Sequence, residues 1–303
     1  MKQFIIKIIA CGLLLVIVDS GVCYTHGKIF GNLPDKTSMV STIYQSLFKK
    51  SADILILGSS SANHHYNSMM LEDSLKLSVY NSGLDGRDMV YFDVVLQSTL
   101  DRQIPKYVVL DISPGHINGS WINRIGDTKL YYRKNNAVTK YYDNETGWQQ
   151  KLKLKSSLYR YNKTLSYLIR VRLDRPNVLK GYAPLYGNKE GFEKYVTSDF
   201  SVNSVELKHL DSIVDICKSN NIKLILVQSP QENENSAFDN WIVSYTSEKG
   251  ILLITENKNP YYYEHPELFY DGSHLNADGA DLFTNQIIKR IKCIINYNND
   301  ERN

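Results

Sequence analysis

Two short segments of this chain carry residue types that could do chemistry together, although more than 200 residues separate them. Gly58-Ser59-Ser60-Ser61 directly follows the apolar run 54–57, and Asp271-Gly272-Ser273-His274 directly precedes the last amphipathic stretch. A serine at a strand-to-helix turn can act as a nucleophile, and a histidine with a carboxylate three residues upstream can activate it as a base. The two segments therefore predict an enzyme that transfers acyl groups.

Acyl transfer also needs N–H donors for the negative charge that develops on the carbonyl oxygen. The N–H of Ser60, at the start of a predicted helix, has no acceptor within that helix. Gly58 allows the chain to turn sharply out of the preceding strand. Gly83, in Asn81-Ser82-Gly83, offers a second N–H at the end of the next strand. We therefore predict Ser60, Asp271 and His274 as catalytic residues, with the N–H groups of Ser60 and Gly83 as the oxyanion hole.

Strand-like and helix-like segments alternate along the chain and define the predicted fold. The predicted strands are 54–57, 79–81, 107–112, 224–228 and 251–254. The predicted helices are 62–75, 89–100, 205–218, 239–249 and 278–293. This alternation is typical of an α/β protein with a five-stranded, doubly wound parallel sheet. Ligands in such sheets bind at the carboxyl ends of the strands, which is where the candidate serine and Gly83 fall.

Residues 115–204 interrupt the alternation, as a large insertion after the third strand. This stretch holds ten tyrosines and 16 Lys and Arg residues against seven Asp and Glu, a net charge of +9, so the remainder carries −6 of the chain's overall +3. One interpretation is a solvated elaboration whose tyrosines pack on the core. The other is a lid over the strand ends, where rings and cations suit sugars, anionic polymers or a lipid surface.

The first 24 residues form a predicted membrane anchor or signal segment. Lys2 and Lys7 precede an uninterrupted apolar run from Ile8 to Val18, which ends at Asp19. A run of this length is typical of a signal peptide and short for a membrane span. Because no good cleavage site follows, we favour an uncleaved anchor with the remaining chain outside the cytoplasm, and a cleaved signal is the alternative.

The order of the motifs resembles the SGNH (GDSL-type) hydrolase superfamily. In that family a Gly-Asp-Ser block carries the nucleophile, which matches Ser60, with Ser59 in the place of the usual aspartate. A glycine of the second block donates to the oxyanion, which matches Gly83, and the last block supplies an aspartate and a histidine, matching Asp271 and His274. The resemblance covers about residues 53–112 and 205–292. It implies a flavodoxin-like three-layer α/β/α sandwich, within one SGNH-like domain spanning 25–303.

The chain departs from the family pattern in the third block. There the family has an asparagine that helps to bind the oxyanion, whereas this chain reads Asp111-Ile112-Ser113-Pro114-Gly115-His116, with Asn118 further on. The pattern looks more like membrane-anchored members that modify cell-surface polymers, such as D-alanyl transfer proteins of the DltD type and polysaccharide O-acetylation proteins. The resemblance implies an acylated glycan or acyl donor as substrate, with a membrane-bound acyltransferase as a possible partner.

These features lead to a functional hypothesis and one alternative. The hypothesis is an extracytoplasmic serine esterase or O-acyltransferase that acts on a cell-envelope or exopolysaccharide glycan through an acyl-enzyme. The alternative is a weak or inactive SGNH-like protein that binds glycan or serves in assembly. We expect no metal, because the histidines and carboxylates lack ligand spacing, no other cofactor, and no nucleic acid. His64 and His65 are interpreted as helix-surface or packing residues, Asp111 as a structural residue, and His116 as a minor candidate for the site.

Overall fold

The computed structural model describes residues 1–119, 125–177, 179–188, 195–231 and 233–300, without the side chains of 195, 233 and 297–300. The chain forms two compact units. The first combines residues 1–49 with 126–176, and the second combines 50–125 with 177–303.

The second unit is built on a five-stranded sheet. Its strands are β1 (Ile54–Leu57), β2 (Val79–Asn81), β3 (Tyr107–Asp111), β4 (Lys223–Gln228) and β5 (Leu252–Thr255). All neighbours are parallel, in the order β2-β1-β3-β4-β5. This is the strand order of flavodoxin-like folds. The predicted α/β class with a five-stranded parallel sheet is therefore confirmed.

The helices are numbered in chain order through both units. They are α1 (Lys2–Phe30), α2 (Met39–Phe48), α3 (Ser60–His65), α4 (Ser68–Leu75), α5 (Met89–Leu100), α6 (Pro114–Ile117), α7 (Asn136–Glu145), α8 (Trp148–Lys155), α9 (Ser157–Arg160), α10 (Thr164–Leu173), α11 (Ser204–Ser219), α12 (Ser236–Lys249), α13 (Pro260–Glu264) and α14 (Ala277–Asp300). Two 3₁₀ turns lie at Gly126–Tyr131 and Pro266–Leu268. The short strands Tyr195–Thr197 and Asn233–Asn235 pair with each other, as do Phe269–Asp271 and His274–Leu275.

Both faces of the sheet are covered, which explains why its strands are apolar without alternation. Ile56, Val109 and Val227 belong to one buried cluster with Phe283 and Ile287 of α14. The intervening positions, Leu55, Leu57, Leu110 and Leu226, are equally buried. On that side α5 and α11 pack against each other, and α11 packs against β4. The result is the predicted three-layer arrangement.

The predicted single helix over 62–75 is wrong. The structure has α3 and α4 in its place, separated by Tyr66 and Asn67, whose backbones are extended. The side chain of Asn67 caps α4 by accepting hydrogen bonds from the N–H groups of Met69 and Met70, at 3.2 and 3.3 Å. Asparagine favours such a cap over a position inside a helix. This break lets α3 end early and direct its residues toward the site described below.

The predicted insertion 115–204 is divided between the two units. Residues 126–176 pack with the N-terminal segment in the first unit, where the ring of Tyr131 contacts Phe48 with 5.1 Å between centroids. Residues 179–188 belong to the second unit, where Ala183 N–H donates to the carbonyl of Asn63 in α3 at 2.9 Å. The end of the insertion therefore lies against α3.

The turn between β1 and α3 depends on a glycine. Gly58 has a φ of +148°, and a Cβ at this position would lie 2.6 Å from Ala62 Cβ and 3.0 Å from Asp111 Cβ. Side chains rarely adopt this backbone conformation, and neither neighbour is a flexible chain end. The glycine thus lets α3 start directly against the ends of β1 and β3.

We predict that Gly58→Ala destabilises the second unit by at least about 1–3 kcal/mol, because it adds backbone strain and a steric clash. The measurement is the midpoint of urea unfolding followed by circular dichroism. Gly126→Ala is the matched control, since no described atom lies within 4 Å of its added Cβ and its φ is not positive. Equal midpoints for the two variants would contradict this account of the turn.

Candidate active site

Ser60 is the first residue of α3, at the carboxyl end of β1. Two hydrogen bonds join this turn to the segment after β2. The carbonyl of Gly58 accepts from Leu84 N–H at 3.2 Å, and the hydroxyl of Ser59 accepts from Arg87 N–H at 3.2 Å. The segment after β2 therefore holds the two residues that precede Ser60, whose side chain is placed at the edge of the sheet where ligands bind.

The structure brings together the three residues predicted as catalytic. His274 Nε2 lies 2.7 Å from Ser60 Oγ, and His274 Nδ1 lies 2.8 and 2.9 Å from the two carboxylate oxygens of Asp271. Because the carboxylate can only accept, Nδ1 carries the proton and Nε2 is free to accept from the serine hydroxyl. This is the tautomer that a general base for Ser60 requires.

Asp271 is held in its charged form. Burial alone would raise the pKa of Asp271, but hydrogen bonds from the His274 ring and the Ser273 N–H outweigh it, so the pKa lies below its usual value. A carboxylate that remains ionised can stabilise the imidazolium formed when His274 takes a proton.

His65 fixes the position of the loop that carries His274. Its Nε2 accepts a hydrogen bond from the N–H of Leu275 at 2.9 Å, and its carbonyl accepts from the hydroxyl of Thr284 in α14 at 3.1 Å. Burial holds the pKa of His65 well below its usual value, aided by the neighbouring His274 and His64. His65 is therefore a neutral packing residue, as predicted, and it connects the nucleophile helix to the histidine loop.

Gly83 lies against the start of α3, where a Cβ would be 2.5 Å from Asn63 N and 2.8 Å from the carbonyl carbon of Ala62. Its N–H donates to the side-chain oxygen of Asn81 at 2.8 Å. To act on an oxyanion this N–H would have to exchange that partner. The oxyanion role predicted for Gly83 stays a prediction, and so does that of the Ser60 N–H.

A second histidine–carboxylate pair lies beside the first. His64 Nδ1 is 2.5 Å from the carbonyl oxygen of Ala183, and Nε2 is 3.2 Å from a carboxylate oxygen of Asp85. Both partners can only accept, so both ring nitrogens must be protonated to satisfy them. The ring centroid lies 5.5 Å from that of His274. His64, predicted as a surface or packing residue, is therefore nearly buried in surroundings that favour its protonated form, next to the candidate base.

The charges of this second pair support each other. Burial would lower the pKa of His64, but the hydrogen bond and charge of Asp85 raise it above its usual value. Burial would likewise raise the pKa of Asp85, and its bond to His64 holds it below its usual value. Sequence reasoning missed Asp85 and Ala183. The sequence gives no local signal for Ala183, because it reaches His64 from 119 residues away through its backbone.

Asp111 lies beneath the nucleophile turn and is completely buried. Burial raises the pKa of Asp111 to about 7, against the opposing effect of a hydrogen bond from Tyr66. Its Oδ2 accepts from the Tyr66 hydroxyl at 2.7 Å. This agrees with the structural role predicted for it.

The two other residues considered at the third strand end contact α5 and α6. His116 is buried with its ring edge against Phe92 of α5, and burial lowers its pKa to about 4. Asn118 is the C-cap of α6, and its N–H donates to the Pro114 carbonyl. His116 therefore packs in the core of the protein.

No family model matches this chain, and no curated protein matches it. Solved structures similar to it include the acetyl xylan esterase AlAXEase, with 12% identity, a TM-score of 0.42, and coverage of 78% of this chain and 99% of that one. A lipase/acylhydrolase from Enterococcus faecalis shows 14% identity, a TM-score of 0.39, and coverage of 79% and 95%. A GDSL-like lipase from Bacteroides thetaiotaomicron shows 12% identity, a TM-score of 0.38, and coverage of 78% and 88%. At these values the likeness is too distant to assign an activity.

We predict that Asp111→Asn becomes more stable relative to the unchanged protein as the pH rises. The raised pKa means that the folded state holds this proton where the unfolded chain has lost it, so ionisation destabilises the fold increasingly between about pH 4 and 7. Above pH 7 the penalty is complete, on the order of a few kcal/mol. Thermal unfolding at pH 4, 6 and 8 measures the difference. The exposed Asp215→Asn is the control, and a pH-independent difference for Asp111→Asn would refute the prediction.

For His64 we predict the opposite direction of pH dependence. Because its pKa is raised in the folded state, its contribution is complete below the unfolded value near 6.5 and is lost as the pH rises through the folded pKa. His64→Gln should therefore lower the melting temperature at pH 6 and have less effect at pH 9. Because the side chain of Asp85 is 59% exposed, water weakens its interaction with His64. We therefore expect the melting temperature to fall by at most about 2–4 °C. His265→Gln, in an exposed pair with Glu267, is the control, and an equal loss for His64→Gln at both pH values would count against a charged His64.

Proposed function

We propose that this chain is a serine-dependent esterase or O-acyltransferase of the SGNH type. The observation that supports this most is the continuous set of hydrogen bonds from Ser60 through His274 to Asp271, at the carboxyl edge of a parallel sheet. Each residue has the hydrogen-bond partner that its role requires, and His274 has the tautomer that a general base requires. The order of the motifs along the chain agrees with the same superfamily.

In the first half-reaction Ser60 Oγ attacks the carbonyl carbon of an ester while its proton passes to His274 Nε2. The tetrahedral intermediate collapses, the bond to the alcohol oxygen breaks, and His274 returns the proton to that oxygen. The alcohol leaves and the acyl group remains on Ser60. Asp271 keeps its negative charge throughout and stabilises the imidazolium.

In the second half-reaction a hydroxyl group attacks the acyl-enzyme, again giving its proton to His274, which then passes it to Ser60 Oγ. Water as the acceptor gives hydrolysis, and a sugar hydroxyl gives transfer. The Ser60 N–H is the first oxyanion donor, and the Gly83 N–H becomes the second if it leaves Asn81. Loss of one such donor can lower the rate by about 10²–10³, which favours an enzyme with slow hydrolysis.

The proposed substrate is an acyl ester on a cell-envelope or exopolysaccharide glycan. α1 has the length and apolar composition of a membrane-spanning helix, and we propose that it anchors the chain with the site outside the cytoplasm. The Gly-Ser-Ser start and the N-terminal anchor together resemble the DltD-type and polysaccharide O-acetylation members. In such an arrangement a membrane-bound acyltransferase could supply the acyl group.

The alternative function is binding of an acylated glycan, or a role in assembly, with little or no turnover. The bond between Gly83 N–H and Asn81 favours it, because that donor is already occupied. The absence of asparagine from the stretch 111–116 favours it as well.

We predict that Ser60→Ala abolishes hydrolysis of an aryl acetate and labelling by a fluorophosphonate, because both reactions need the serine oxygen. The loss should be at least about 10³-fold in kcat with an unchanged melting temperature. Ser61→Ala is the matched control, as the next serine in the same short helix, and should keep its label.

The same measurements separate the two functions. Labelling of the unchanged protein with little aryl acetate turnover would favour transfer to an acceptor that the assay lacks. A folded protein that neither labels nor turns over substrate would favour the binding function. Turnover by Ser60→Ala at the rate of the unchanged protein would rule out Ser60 as the nucleophile.

A further inference from the structure

The N-terminal helix α1 has a free part and a packed part, and the boundary is Asp19. Every residue from Met1 to Val18 is exposed, including large apolar side chains such as Leu14 and Ile17, at 61% and 67%. From Asp19 onward the helix contacts its own unit. Phe30, at its end, is fully buried and stacks on Tyr161 with 5.7 Å between centroids.

Asp19 connects α1 to the start of α9. Its carboxylate accepts hydrogen bonds from the Ser156 hydroxyl at 2.7 Å and from the N–H groups of Ser157 and Leu158 at 3.0 and 2.9 Å. It therefore caps the amino end of α9. The point at which the free apolar helix leaves the folded unit is thus also the point where α8 ends and α9 begins.

The free part of α1 is short for a membrane span. Residues 2–18 rise by about 25 Å at 1.5 Å per residue, against about 30 Å for the hydrocarbon core of a bilayer. A short span is accommodated by local thinning and by drawing the flanking protein surface toward the membrane. If α1 is the anchor, the residues beside Asp19 must then lie within the layer of lipid headgroups.

The helix that ends beside Asp19, α8, carries the residues that such a layer favours. Trp148 and Leu152 are one helical turn apart on α8 and are 72% and 57% exposed, and Leu158, next to the Asp19 cap, is 40% exposed. Lys153 and Lys155 are exposed on the same helix. Tryptophan and leucine beside lysine are typical of helices that lie in the interface of membranes with anionic lipids.

We propose that α8 and the start of α9 form a membrane-contact surface, made of Trp148, Leu152, Leu158, Lys153 and Lys155. Its partner is the anionic headgroup layer of the bilayer that α1 crosses. Trp148 and the two leucines enter the boundary between headgroups and acyl chains, and the lysines contact lipid phosphates. The inference rests on the proposed anchoring by α1, and it is independent of the chemistry proposed for Ser60.

The test uses the full chain reconstituted into vesicles of phosphatidylcholine and phosphatidylglycerol, with and without bromine on the acyl chains. Bromine quenches tryptophan fluorescence only at close range. The chain has three tryptophans. Trp148→Phe should remove at least half of the bromine-dependent quenching. Trp241→Phe should retain it, because the ring of Trp241 packs on Phe238 and Tyr245. Trp121, which lies outside the described residues, is replaced in a third variant.

A second variant tests the charge. Lys153→Glu with Lys155→Glu should lower the quenching in vesicles containing phosphatidylglycerol and change it little in pure phosphatidylcholine, because only the former attracts the lysines. Quenching that is equal in the double variant and the unchanged chain in both lipids would show that the lysines do not contact the headgroups.

Flotation with the vesicles separates failure of this inference from failure of the anchor. A chain that does not float with the vesicles after an alkaline wash has no anchor. The proposed anchor and the proposed contact surface then both fail. A chain that floats, but whose quenching is unchanged by Trp148→Phe, keeps its anchor and overturns the contact surface alone. Protection of Trp148 from aqueous iodide that depends on protein concentration, without bromine quenching, would assign the surface to a second copy of the chain instead.

Discussion

The hydrogen bond between Ser60 Oγ and His274 Nε2 joins two segments that are 214 residues apart. It can form only if α3 and the loop before α14 are both held to within about 0.5 Å. Several contacts serve this purpose. His65 accepts from the N–H next to His274 and is itself bonded to Thr284, while Asn67, at the start of α4, bonds to Thr284 and Asp281. Hydrogen bonds to α14 therefore help to hold both α3 and the loop that carries His274 in position.

The sequence predicted the sheet because strands covered on both faces are continuously apolar, and because runs such as 54–57 and 107–111 stand between clear helical patterns. It also singled out Ser60, Asp271 and His274, which the structure brings within hydrogen-bond distance, because they fall at a strand end or beside the last helix. It failed at Asn67, where a single side chain ends one helix region and starts the next. The break is made by the hydrogen bonds of this one side chain, which the pattern of apolar residues does not report.

Contacts that a backbone atom makes with a distant side chain were beyond sequence reasoning. The pKa of His64 is raised by Asp85 and, to a smaller extent, by the carbonyl of Ala183, and any residue type at 183 would offer the same carbonyl. The link between Asp19 and α9 has the same origin, because two of its three donors are backbone N–H groups. In both cases the sequence contains a histidine or an aspartate whose position has no local explanation. The contacts in the folded structure explain it.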